Sequence, residues 1–201
     1  MRSEKPYSTF FDHAFENEMN SLIEQTKAHY DATNYKNALK TGLFDFQNAR
    51  SWYRDVTGGD MHKDLVLRFI EAQALMLAPI APHWSDHIWR EVLQKVLLPG
   101  FKTNLSQDGT IQTAPFPTPS APNDEPTSAS QTYIKSLTDG IHQAEGAQLK
   151  KKAKGKQSSF DPKKPKRLYI YVATQFPAWQ QKYIDALQEC YDEVLYLQAL
   201  N

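Results

Sequence analysis

The sequence predicts a mainly α protein: an antiparallel helix bundle followed by the beginning of a small α/β module. Three observations lead there. Between residues 10 and 97, four segments repeat apolar residues at steps of three and four, the spacing of one buried helix face. The breaks between them are short and carry Thr, Asn, Gly or Pro, so successive helices should fold back on one another. Beyond residue 165 the pattern changes to a run of aromatic and branched residues, then to a stretch opened by proline. Of the 201 residues 40% are apolar and 12% aromatic, enough to build a core.

The first helix is expected over residues 10–31. Phe11, Phe15, Met19, Leu22, Ile23, Thr26 and Tyr30 paint its apolar stripe, and Asp12, Glu16, Glu18 and Glu24 fall largely on the other side. The chain then stops and restarts, with Thr33 or Asn34 as an N-cap. The second helix runs from about Tyr35 to Asp55. Leu39, Leu43, Phe46, Arg50 and Tyr53 define one face, with Ala38, Phe44 and Ala49 beside it. Gly42 sits mid-helix at a cost of about 1 kcal/mol against Ala, and such a glycine marks the close approach of a neighbour.

After Thr57-Gly58-Gly59-Asp60, the third helix covers roughly 61–78. It is apolar nearly all round, which predicts the central position in the bundle. Pro79 ends it. Pro82 suits the first turn of a fourth helix, whose Trp84, Ile88, Trp89, Val92, Leu93 and Val96 should face inward. Six of the twelve prolines lie between Pro99 and Ser130, which reads as a loop or insertion. Helical spacing resumes from Tyr133 to Lys152, through Ile134, Leu137, Ile141, Ala144 and Leu149. Lys166–Ala173 reads as a strand, Pro177 opens a helix, and Asp192–Leu197 suits a last strand or another helical turn. The expected organisation is a bundle over 1–152, a basic linker over 153–166, and the start of an α/β module over 167–201 that stops early.

Formal net charge is zero, but residues 150–167 hold nine basic groups against one acidic group. A block this dense repels itself and either solubilises the chain or meets a polyanion. A single cysteine, Cys190, excludes a disulfide framework and a four-cysteine metal site, and it reads as a small apolar residue. No run approaches the length of a membrane-crossing helix, and no apolar stretch follows the N-terminus as a secretory signal would require; an intracellular compartment is expected. There is no glycine-rich phosphate loop, no Gly-x-Ser-x-Gly elbow and no His-Glu-x-x-His. His83 and His87 have metal spacing but no third ligand nearby. No catalytic residue, metal site or cofactor site is therefore assigned to this chain.

Several stretches carry a family resemblance. Tyr35–Arg50, and Met61-His62-Lys63-Asp64-Leu65 leading into Arg68-Phe69-Ile70-Glu71, resemble the helical bundle of eukaryotic cytosolic leucyl-tRNA synthetase. Leu75-Met76-Leu77-Ala78-Pro79-Ile80-Ala81-Pro82-His83, with His87-Ile88-Trp89 behind it, resembles a signature of anticodon-binding bundles in related class I synthetases. Tyr169–Ala173 and Phe176–Gln180 are similar to the start of that family's C-terminal extension. The Pro-rich 103–130 region matches least.

The resemblance implies a bundle that binds the body of a leucine-specific tRNA inside a cytoplasmic enzyme, which joins leucine to tRNA using ATP and magnesium. The family's His-x-Gly-His and Lys-Met-Ser-Lys-Ser motifs are absent here, so that chemistry belongs to other domains. The implied partners are tRNA and the remainder of the synthetase, with no membrane, no DNA and a monomeric state. Candidate phosphate contacts are Lys36, Lys40, Arg50, Arg54, Lys63 and Arg68, with Lys40 and Arg54 foremost, and then Lys150, Lys151, Lys152, Lys154 and Lys156 of the basic block. Without an evident aromatic platform, backbone and shape recognition is expected rather than base reading. The competing reading is a protein-interaction bundle, whose binding should lack the steep salt dependence of RNA binding.

Overall fold

A computed structural model describes residues 2–3, 9–93, 110–153 and 176–198. Two compact units divide the chain, Met1–Ala144 and Glu145–Asn201.

The first unit opens with α1, Phe10–Asp31, where expected. Thr9 caps it: its side chain accepts from the Asp12 amide while the Asp12 carboxylate accepts from the Thr9 amide, a reciprocal capping box. Thr33 takes a positive φ of 55° in the turn that follows. Asn34 then caps α2, Tyr35–Leu39. The expected single helix from 35 to 55 is interrupted. Lys40–Asp45 is π-helical, and α3, Phe46–Val56, resumes beyond it. Gly58 and Gly59, at φ 60° and 87°, make the turn into α4, Lys63–Leu77. Pro82 stands in the first turn of α5, Pro82–His87, and a second π-helical stretch covers Ile88–Leu93.

The wide π turn coincides with a close contact to α1. Thr26 of α1 and Thr41 share a buried hydrogen bond of 2.7 Å, which draws α1 onto the π segment. At that contact Gly42 has no room to spare: a Cβ there would lie 3.1 Å from Thr26 Cγ2 and 3.6 Å from Met76 Cβ. The close approach expected at Gly42 is present. Gly42→Val should cost about 1–3 kcal/mol by overpacking. Gly140, where a Cβ would meet nothing within 4 Å, is the comparison site. Equal melting shifts for the two valine variants would refute a steric role for Gly42.

Two apolar clusters share α4. One joins Phe15, Met19 and Ile23 of α1, Phe46, Ala49 and Tyr53 of α3, and Leu65, Phe69, Ala72 and Met76 of α4. Phe15 stacks on Tyr53 at 4.5 Å and Phe46 on Phe69 at 4.8 Å, both within the range for favourable aromatic pairs. The other cluster gathers Ala74, Leu75 and Ala78 around Trp89, Leu93 and Ile111. Burial on two sides explains why α4 is apolar nearly all round. It does not hold the centre alone, however, because α1 meets α2, the first π segment, α3 and α4. The side of α1 expected to be polar is also covered: Asp12, Asn17 and Asn20 are buried.

Three further expectations change. Trp84 does not face inward but keeps 44% of its surface exposed, while Trp89 is buried. Phe44 is 57% exposed rather than beside the core face, since the π segment shifts the phase of the helix. The Pro-rich stretch is shorter than expected. After a 3-10 turn at Ile111–Thr113 it runs to Asp124, and α6, Glu125–Ala153, starts eight residues before Tyr133. Thr127 donates to the Asp124 carboxylate at 2.6 Å, and Pro126 needs no amide partner in a first turn.

This stretch is anchored to α1. Asn17 donates to Ser128 Oγ (2.9 Å) and to the Asp124 carbonyl (3.1 Å), and accepts from the Asp124 amide (2.8 Å). Gln131 and Lys135 both reach Glu18 at 2.7 Å. Only the first turns of α6 are engaged in this way, since Tyr133 and Leu137 of its expected inward stripe are exposed.

The second unit contains the end of α6 and α7, Ala178–Gln198. The helix expected after Pro177 is present, and Asp192–Leu197 is helical rather than a strand. The strand expected over 166–173 lies outside the described residues, so the α/β character of this unit is not established.

Candidate nucleic-acid interface

Whether a surface cation can meet phosphate depends on what already occupies it. Arg2 is fully engaged. Its guanidinium forms a two-pronged pair with Asp12 at 2.8 and 2.9 Å and also donates to the Asp60 carbonyl. Tyr53 Oη donates to the same carboxylate and accepts from the His62 amide at 2.9 Å. Burial alone would push the Asp12 carboxyl up, but hydrogen bonds from Arg2, Tyr53 and Thr9 outweigh it and bring it down to about 2. Burial and the bond to Asp12 raise the Tyr53 phenol. This network fastens the segment before α1 to the α3–α4 turn and offers no charge to a ligand.

Arg68 is committed as well. It donates to Glu16 (3.1 Å), Ser120 Oγ (2.6 Å) and Asn20 Oδ1 (2.6 Å), tying α4 to α1 and to the Pro-rich stretch. Lys40 and Arg54 are exposed and sit in surface pairs with Asp45 (2.5 Å) and Asp55 (3.2 Å). Such pairs are worth about 0–1 kcal/mol and exchange readily for a phosphate. Lys36 of α2 is exposed and Lys63 of α4 half-buried, and neither forms an ion pair among the described residues.

Arg50 of α3 differs from all of these. Its guanidinium carbon lies 5.8 Å from the centre of the Phe69 ring, and its Nε is shut away from solvent without an acceptor. Sequence reasoning placed Arg50 on the inward face; the structure leaves it half-buried at that face's margin.

Lys150, Lys151 and Lys152 belong to the last turn of α6, with Lys150 exposed. Lys154 and Lys156 lie outside the described residues. The bundle's candidate cations thus lie on α2, the first π segment, α3 and α4, apart from Lys150–Lys152 at the end of α6. Exposed Tyr35 and Phe44 accompany those on α2 and the π segment, an aromatic feature that helical periodicity alone had hidden. Trp52 packs edge-on against Phe11 and under Lys135 Nζ at 4.8 Å, so it is no stacking platform. Among the described residues there is no group of three metal-ligating side chains, and His83 and His87 are both exposed.

Comparisons with known proteins find relatives over nearly the whole chain. A family model described as the anticodon-binding domain of tRNA ligase matches residues 12–160. The chain is 44% identical over 197 residues to the cytoplasmic leucine–tRNA ligase of Neurospora crassa, covering 96% of this chain and 16% of that protein. It is 47% identical over 189 residues to the putative cytoplasmic leucine–tRNA ligase of Schizosaccharomyces pombe, covering 94% of this chain and 16% of that protein. With the cytoplasmic leucine–tRNA ligase of Saccharomyces cerevisiae it shares 47% identity over 184 residues, 92% of this chain and 16% of that protein. The chain therefore spans about a sixth of the length of the curated relatives it matches.

Proposed function

This chain belongs to the family of anticodon-binding domains of tRNA ligases, and from that membership we propose that it is the tRNA-docking bundle of a cytoplasmic leucine–tRNA ligase. The observation that carries the proposal is the family match over residues 12–160, which spans the helices from α1 to the end of α6. The partner is the body of a leucine-specific tRNA, with the remainder of the synthetase as the covalent neighbour. Adenylation of leucine, with ATP and magnesium, is assigned to domains outside this chain, whose sequence holds neither catalytic motif of the family.

Recognition rests on backbone phosphate. Lys36, Lys40, Arg54 and Lys63 supply cations on the bundle, and Lys150, Lys151, Lys152, Lys154 and Lys156 supply a dense second set. Each neutralised phosphate releases counterions and adds about 0.7–0.9 to the slope of log K against log salt. Changing those last five lysines to glutamine should weaken binding to all tRNAs alike and flatten the slope by roughly 2, if half of them engage at once. The measurement is a salt titration of tRNA binding by wild type and variant, with circular dichroism confirming the fold. Identical slopes would reduce the block to a solubilising segment, and salt-insensitive binding of a protein partner would favour an interaction bundle instead.

A further inference from the structure

We infer that Arg50 is a preformed seat for one RNA phosphate, set at the margin of the core face of α3 beside the ring of Phe69. The inference rests on the tRNA-docking reading above and names a contact within it.

The geometry starts from the pairing of two antiparallel helices. Gly42 of the π segment faces Met76, Phe46 stacks on Phe69, and Tyr53 bonds the His62 amide, so the stretch from the π segment through α3 meets α4 in the opposite chain direction, through large side chains. Arg50 follows Phe46 by one turn and reaches across to the Phe69 ring. One turn beyond Phe69, Gln73 is buried with its Nε2 lacking any acceptor. Arg50 Nε, beside this ring, and Gln73 Nε2, one helical turn along α4 from Phe69, are thus two buried donors with no acceptor among the described residues.

An unpaired, partly desolvated guanidinium is costly to keep. Elsewhere in the bundle, arginines are matched: Arg2 by Asp12, Arg54 by Asp55, Arg68 by Glu16 and Arg90 by Asp86. Arg50 makes no ion pair and no hydrogen bond among the described residues. Its Nε is closed off while the side chain keeps part of its surface open, which leaves the Nη end as the approach for an acceptor. The cation–π contact with Phe69, at 5.8 Å, narrows the side chain's rotamer freedom before a phosphate binds. Phosphate rather than a base edge is the fitting occupant, because a planar five-donor cation without any acceptor beside it matches an oxyanion.

The test is tRNA binding by the full chain across a salt series, comparing wild type with Arg50→Gln, Arg50→Lys and Lys27→Gln. Lys27 pairs with Asp31 on the exposed side of α1 and reports the effect of losing one charge elsewhere on the bundle. Arg50→Gln should weaken binding about tenfold and flatten the salt slope by about 0.7–0.9. Arg50→Lys should keep the slope yet lose about threefold, because an ammonium cannot present the fork. Thermal unfolding checks the fold, and if Arg50→Gln melts early, Arg50→Lys carries the test. Should Arg50→Gln match Lys27→Gln in affinity and slope, or Arg50→Lys match wild type in affinity, the seat is overturned and Arg50 passes to a protein carboxylate. Absence of salt-dependent tRNA binding by wild type would instead sink the docking reading itself, and the seat with it.

Discussion

Phe69→Ala is expected to destabilise the bundle by about 3–5 kcal/mol. The ring is 4% exposed and stands where the helices meet: it stacks on Phe46 of α3, lies 6.3 Å from the Phe15 ring of α1, and carries the Arg50 guanidinium. Removing it opens a cavity that Ala49 and Ala72, both small, cannot collapse to fill. Leu75→Ala, in the neighbouring cluster around Trp89, removes fewer atoms from an 8% exposed site and should cost less. Urea unfolding followed by circular dichroism gives both values, and a midpoint unchanged by Phe69→Ala would refute the assignment of Phe69 to the shared core.

Asp12→Ala is expected to cost about 2–4 kcal/mol. The carboxylate is fully buried and accepts from Arg2, Tyr53 and the Thr9 amide, so its loss strands a buried phenol and removes half of the α1 capping box. Arg2 keeps 24% of its side-chain surface and can rehydrate, which holds the penalty below that of a fully enclosed pair. The pH dependence has a defined sign. A carboxyl lowered from 3.8 to about 2 in the folded chain contributes stability that is complete above about pH 4 and is lost as the pH falls towards 2. Stability measured from pH 5 to pH 2 should therefore fall more steeply for wild type than for Asp12→Asn. Parallel curves would show that Asp12 is not held ionised by Arg2 and Tyr53.

These two sites mark what the sequence could and could not reveal. The bounds of α1 and the apolar face of α4 were legible, because local periodicity and caps determine them. The pairing of Asp12 was not: a helical wheel puts it at the angle of Tyr30, on the apolar stripe, but its partners Arg2 and Tyr53 come from other parts of the chain and no local pattern names them. The early start of α6 did leave a local signal, an Asp-Glu-Pro sequence at a helix entry, masked by the Pro-rich run before it. In the candidate interface the cations themselves were legible. Their availability was not, since pairing of Arg68 with Glu16, or isolation of Arg50 beside Phe69, is decided by tertiary neighbours.

The π segment at Lys40–Asp45 also constrains how this family can change length. Ala38 before it and Phe46 after it both point into the core. Eight residues of regular α-helix, at about 100° each, would leave those two side chains about 80° out of phase. The wider π turn absorbs most of that difference, so the segment works as a one-residue phase corrector. A single deletion between 40 and 45 would leave seven residues from Ala38 to Phe46, about 700° of regular α-helix, so the π turn could revert to α with Phe46, Ala49 and Tyr53 still facing the core. Homologous bundles should therefore tolerate the loss of one residue here more readily than the loss of two or the gain of one.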